Sequence, residues 1–162
     1  MVLACPTDFS FIGKKELLNN PVTGLFFRTI DLPLDRESKL SAFRVFKKAE
    51  ALLAQGRSVL IFPEGTIHSE YPPRLGAFKN GPFRMALETG TPIIPIVIHD
   101  AWKLFWNDGK QHGTRPGLVH IDVLSPIDVG QGMDPKKVDS QRVLALKDHV
   151  YSKINARWTA GR

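Results

Sequence analysis

Apolar and polar positions alternate along this chain in two periods, and each period predicts an element type. Phe9-Ser10-Phe11-Ile12 reads as a short strand. Asn20-Pro21 opens a helical turn reaching about Arg28, because proline suits the first helical position. Ile30 to Leu34 is extended again, since the residue before Pro33 is steered away from helix. Glu37 to Gln55 is the clearest helix, with Ser38 as its cap and Gly56 as its stop. Leu40, Phe43, Phe46, Ala49 and Leu53 recur there at three- and four-residue steps and predict one apolar face. Ser58 to Phe62 is a buried strand that Pro63-Glu64-Gly65 breaks sharply. A helix follows over Gly81 to Glu88, closed by Gly90. Pro92 to Ile98 is a second buried strand, and Leu118 to Leu124 alternates as a strand nearer an edge. Asp139 to Trp158 is an amphipathic helix with Val143, Leu146, Val150 and Ile154 on one side.

Buried strands joined by helices imply an α/β fold, with a mixed, largely parallel sheet flanked by helices. No internal repeat, low-complexity tract or linker interrupts the chain, so residues 1–162 are expected to form a single domain. In such sheets ligands bind beyond the carboxyl ends of the strands. The turn after Phe62 lies at such an end and is the first place to look for chemistry.

Composition narrows the partners. The 162 residues are 43% hydrophobic and 23% charged, an ordinary globular balance. The net charge of +6 suits anionic partners: nucleic acid, an acidic membrane face or a phosphate-bearing metabolite. No nucleic-acid motif or aromatic-basic platform accompanies that charge, so no nucleic-acid partner is expected. Cys5 is the one cysteine, which excludes an internal disulfide and fits a reducing, cytoplasmic setting. No window approaches eighteen apolar residues, so any membrane contact is expected to be peripheral. A Gly-x-Ser-x-Gly elbow, a P-loop and a Cys/His metal spacing are all missing, so no metal is expected.

Phe62-Pro63-Glu64-Gly65-Thr66 combines residue types that suit a polar ligand. Phe62 would anchor the strand end in the core. Pro63 cannot donate to a sheet ladder and forces the chain out. Glu64 would project a carboxylate at the sheet rim. Gly65 permits a left-handed turn and close backbone approach, so its N–H could face an anion. Thr66 adds a hydroxyl. The competing reading is a plain strand-to-loop turn with a surface Glu, and spacing alone leaves the two even. Arg36, after Leu34-Asp35, could grip a phosphate bidentately with Asp35 orienting it, or could be an ordinary surface pair. Lys14 and Lys15 could widen a cationic funnel after the first strand, or simply be solvated.

These blocks together resemble the PlsC-type family, the lysophosphatidic acid acyltransferases that use acyl-CoA or acyl carrier protein. Its second block is similar to Gly24 through Arg36, preceded by Phe11-Ile12-Gly13-Lys14-Lys15-Glu16-Leu17. Its third is matched letter for letter at Phe62 to Thr66, and its fourth, an apolar strand containing proline, is similar to Pro92-Ile93-Ile94-Pro95-Ile96. Phe78-Lys79-x-Gly81 also fits. The resemblance implies that Arg36 binds the acceptor's phosphate and that Glu64 and Gly65 position its glycerol and phosphate. Pro63, Thr66 and Lys14 join that substrate-binding set, and Pro95 shapes a pocket wall. It further implies no cofactor, a lysophospholipid acceptor, an acyl donor as co-substrate, and work at the inner face of a membrane. One departure stands out: the family often has Arg after the block's Thr, whereas Ile67 stands here, followed by His68 and Ser69. Arg74 is the sequence's candidate to replace that charge. Trp102, Phe105 and Trp106 would share one face if helical, either at a bilayer interface beside Lys103 or against the core.

The family's first block, His-x-x-x-x-Asp, supplies the base that deprotonates the acceptor hydroxyl and the carboxylate that orients it. The residues five places after His68, His99, His112, His120 and His149 are Pro73, Leu104, Gly117, Ser125 and Ile154. The block is therefore missing from these 162 residues. The expectation is a domain lacking its N-terminal catalytic block, with that block upstream in the complete gene product. Two functions remain in view: acyl transfer onto a lysophospholipid, and binding of lysophosphatidate or another phosphate ester without turnover.

Overall fold

The structure, a computed structural model, describes residues 8–66, 70, 72–105, 113–130 and 137–161. Cys5, Ile67, His68, Ser69, Trp106 and His112 lie outside the described residues. The chain divides into two compact units, Met1–Phe62 and Pro63–Arg162.

The first unit is built on a parallel sheet. Strand β1 (Phe9–Lys14) is central, β2 (Leu32–Leu34) and β3 (Ser58–Ile61) flank it, and the order is β2-β1-β3. Parallel neighbours need crossover connections, and the helices supply them. A 3-10 helix (Lys15–Asn19) and α1 (Thr23–Thr29) lead from β1 to β2. Helix α2 (Lys39–Ala54) leads from β2 to β3. The predicted Ser38 cap holds, its Oγ accepting from Ser41 N at 3.1 Å, whereas α1 begins at Thr23 rather than at Pro21, which lies in the turn before it, where the Asn20 side chain accepts from the N–H groups of Val22 and Thr23. Gly56 stops α2 with φ +77°. Ile12, Phe27, Leu32, Val45 and Ala49 are buried, and Ser10 is buried beneath the Arg57 guanidinium, which donates to its Oγ at 3.3 Å.

The predicted apolar face of α2 requires correction. Val45 and Ala49 are buried, but Leu40 is 58% and Phe43 60% exposed. Repeated three-residue steps drift around a helix of 3.6 residues per turn, so Leu40 and Ala49, about two and a half turns apart, lie on opposite sides. Phe62 is a second correction. The strand ends at Ile61, and the next side chain turns outward and is 55% exposed rather than anchored in the core.

The second unit packs α3 (Gly81–Thr89) and a long C-terminal helix with a short antiparallel sheet. Strand β4 (Ile96–Ile98) pairs with β5 (Ile121–Val123), Ile96 opposite Val123 and Ile98 opposite Ile121. The predicted strand from Pro92 is shortened because Pro92 and Pro95 lack N–H donors; before β4 it keeps one bridge, Ile93 to Ile127. Between β4 and β5 lies α4 (Ala101–Leu104), and α5 (Ser140–Ala160) follows β5. Gly90 ends α3 in the left-handed region, and Asp139 caps α5 by accepting from Arg142 N at 2.7 Å. Phe78, Phe83, Leu87, Ile127, Val138, Val143 and Val150 form the core, with Leu146 and Ile154 packed against it. The predicted apolar side of α5 is therefore the one that is buried.

Candidate functional site

In the first unit, register fixes the site. Lys14 pairs with Leu34 across β1 and β2, and Ile12 with Ile61 across β1 and β3. The three strands run the same way, so Lys14, Lys15, Asp35 and Arg36 gather at the rim formed by their carboxyl ends. Lys15 Nζ meets Asp35 Oδ2 at 2.6 Å. Asp35 Oδ1 accepts from Glu37 N at 3.1 Å, and Asp35 N donates to Ser41 Oγ at 3.1 Å. Hydrogen bonding from Lys15, then from the Glu37 backbone, holds the Asp35 carboxyl below the ordinary carboxylate range. The same bond raises the Lys15 ammonium. The suggested Asp35–Arg36 partnership is thus corrected: Asp35 is committed to Lys15 and to the entrance of α2. Arg36 is exposed and pairs with none of the described residues. Lys14, at the end of β1, is also exposed.

In the second unit the motif turn is stitched to a segment about a dozen residues downstream. Pro63 O accepts from Lys79 N at 2.8 Å. Glu64 is half-buried, and its Oε2 accepts from Gly76 N at 2.6 Å. Gly65 has φ +68°, the left-handed turn that its lack of a side chain permits. Thr66 is exposed at the end of this described stretch. Glu64 is held by a backbone N–H rather than waving in solvent, which gives its carboxylate a defined direction. Arg74 pairs with Glu70 at 3.6 Å, both well exposed.

Two His–Asp contacts tie the second unit together, and sequence reasoning missed them. His99 Nε2 meets Asp122 Oδ2 at 2.5 Å, and Arg157 Nε donates to the same oxygen at 2.6 Å. Arg157, then His99, holds Asp122 down at about 2. His120 Nδ1 meets Asp100 Oδ2 at 2.5 Å, and His120 N donates to Asp100 Oδ1. The sequence held one clue, since His-Asp at 99–100 and His-x-Asp at 120–122 are mutually complementary across an antiparallel pair.

The aromatic stretch resolves differently from the single-face expectation. Helix α4 ends at Leu104, and Phe105 is extended and 72% exposed. Trp102 Nε1 donates to His99 O at 2.9 Å, with Lys103 Nζ 5.4 Å from its ring centre, so this indole is anchored to the protein.

Comparison with known proteins decides what these blocks are. The sequence model of the acyltransferase family matches residues 1–99. The chain belongs to the acyltransferase family. It is 35% identical over 152 residues to a 1-acyl-sn-glycerol-3-phosphate acyltransferase of Borreliella burgdorferi, covering 93% of this chain and 58% of that relative. An Escherichia coli protein of the same name is 34% identical over 122 residues, covering 74% of this chain and 47% of the relative. Among solved structures, the 1-acyl-sn-glycerophosphate acyltransferase PlsC of Thermotoga maritima matches with TM-score 0.66 and 25% identity, over 93% of this chain and 56% of that one. The α/β architecture expected from the sequence is the one this acyltransferase relative shares. The chain spans about a third to three-fifths of the length of the curated relatives it matches, from 35% to 58%.

Proposed function

We propose that the protein transfers a fatty acyl group from acyl-CoA or acyl carrier protein to a lysophospholipid such as lysophosphatidate, in phospholipid biosynthesis. The observation that carries this reading is the turn from Pro63 to Thr66. Within a family-matched block it combines a left-handed Gly65 with a Glu64 carboxylate fixed by Gly76 N–H. In the reaction, the acceptor hydroxyl oxygen attacks the thioester carbonyl. The carbon–sulfur bond breaks, the thiol leaves carrying the proton, and an ester forms. Glu64 accepts a hydrogen bond from the acceptor's glycerol, while Gly65 and Thr66 approach its phosphate. Pro63 directs the turn. In the first unit, Arg36 and Lys14 are exposed cations at the carboxyl rim of the parallel sheet, with the chemistry to take phosphate oxygens.

The protein works at a membrane surface, on the inner face. Among the described residues no helix is long and apolar enough to cross a bilayer. The charge of +6, the exposed Val22 just before α1 and the exposed Leu25 and Phe26 within it support contact with an anionic, apolar boundary.

A binding-only reading applies to these 162 residues by themselves, because no His among them is followed five places on by Asp. The test is equilibrium binding of short-chain lysophosphatidate to residues 1–162, with an acyl-CoA turnover assay alongside. Glu64→Gln and Arg36→Gln each weaken binding about tenfold while the fold is kept, as loss of one charge-assisted hydrogen bond should. Wild-type protein that fails to bind, or variants that bind as tightly, overturns the acceptor site. Turnover by residues 1–162 overturns the requirement for the His-x-x-x-x-Asp block.

A further inference from the structure

We propose that Lys79 is a specificity-determining residue of the acceptor site: its ammonium, carried over the Gly65 turn, selects a phosphate-bearing acceptor over a neutral glyceride. The proposal rests on the reading of Pro63 to Thr66 as the acceptor seat and adds a residue for which sequence motifs gave no role.

Three features of the second unit converge on this lysine. Its backbone is fixed to the turn, since Lys79 N donates to Pro63 O at 2.8 Å and Gly76 N donates to Glu64 Oε2 at 2.6 Å. The segment from Gly76 to Lys79 therefore lies along the motif as a second wall. Its side chain follows the same path. A Cβ placed on Gly65 would meet Lys79 Cγ at 3.5 Å and Cε at 3.8 Å, so the aliphatic stem runs across the face of Gly65. Cε carries the ammonium, which brings the charge to the part of the turn where a side chain is missing.

The third feature is charge balance. Of the cations between residues 70 and 84, Arg74 pairs with Glu70 and Arg84 pairs with Glu88 at 2.8 Å. Lys79 is exposed, and its ammonium has no hydrogen-bond or ion-pair partner among the described residues. The neighbouring Phe78 is buried, stacked on Phe83 at 6.0 Å and edge-on to Tyr151 at 5.0 Å. With Phe78 locked in the core, Lys79 is presented from a rigid base, so less ordering entropy is lost when its ammonium meets an anion. A phosphate monoester carries about −1.5 to −2 charges near neutrality, whereas a monoacylglycerol has none for the lysine to engage.

The experiment measures binding of two probes, a short-chain lysophosphatidate and the monoacylglycerol of the same chain, to residues 1–162. The proteins compared are wild type, Lys79→Met and Lys79→Arg. Lys79→Met keeps the stem and removes the charge; Lys79→Arg restores it. The expected result is an affinity for lysophosphatidate about tenfold weaker in Lys79→Met, recovered for the most part in Lys79→Arg. Affinity for the monoacylglycerol should be the same in all three. Wild-type binding of lysophosphatidate that Lys79→Met leaves intact overturns the role of Lys79 alone. Equal loss for both probes also overturns it, because that pattern marks a structural residue. Wild type that binds neither probe overturns the acceptor-site reading itself, and the proposal with it.

Discussion

Gly65→Ala tests whether the motif turn is built as described. At φ +68° an L-residue pays about 1–2 kcal/mol, because its Cβ crowds the following carbonyl. The reduced freedom of the unfolded chain returns roughly 0.4–1 kcal/mol. No steric term adds to this, since the new Cβ would stand 3.5 Å from Lys79 Cγ, an ordinary van der Waals distance. The net loss is about 1 kcal/mol, which for a chain of 162 residues lowers the melting temperature by about 2–4 °C. Gly56→Ala is the matched control: φ is +77°, no atom of the described residues lies within 4 Å of the added Cβ, and the site is the end of α2 rather than the motif. Thermal melts followed by circular dichroism should show similar losses for both variants. Lysophosphatidate binding should fall only in Gly65→Ala. A Gly65→Ala protein that melts like wild type would refute the left-handed turn, and a Gly56→Ala protein that loses binding equally would refute the specific role of Gly65.

Two further outcomes follow from the packing and the charges. Gly24→Ala brings a Cβ within 2.5 Å of Leu18 O, a backbone atom that cannot rotate away, so α1 must shift and stability should fall by about 2 kcal/mol in chemical denaturation; an unchanged midpoint would show that this approach is not so close. Asp122 has a folded pKa depressed to about 2, below its unfolded value, so its contribution is present above about pH 4 and lost as the pH falls towards 2. Asp122→Asn should therefore lower the melting temperature at neutral pH and make the decline between pH 4 and 2 shallower than in wild type, and parallel profiles would sink the assignment.

The sequence by itself determined the features that depend on neighbours three or four residues away. Ser38 and Asp139 cap their helices through such local hydrogen bonds, and Gly56 and Gly90 stop theirs through a backbone region open to glycine. The buried stripe of α5 was legible because Val143 and Val150, seven residues apart, return to nearly the same side. The turn at Pro63 to Thr66 was legible for the same local reason, and comparison of its neighbouring blocks made it a family signature.

Tertiary structure decided whatever depends on partners far apart in the chain. Which side of α2 is buried was ambiguous in a stripe that drifts half-way round the helix, and packing resolved it towards Val45 and Ala49. Asp35 is adjacent to Arg36 in sequence, yet parallel pairing of β1 and β2 gives its carboxylate to Lys15, twenty residues away. Phe62 is apolar, yet the end of β3 leaves it exposed. Lys79 reads as one more surface lysine until Pro63 O and Gly76 N–H bring its segment against Gly65. The physical reason is common to all four: local propensity fixes an element's type and ends, whereas register and packing choose which faces and charges meet.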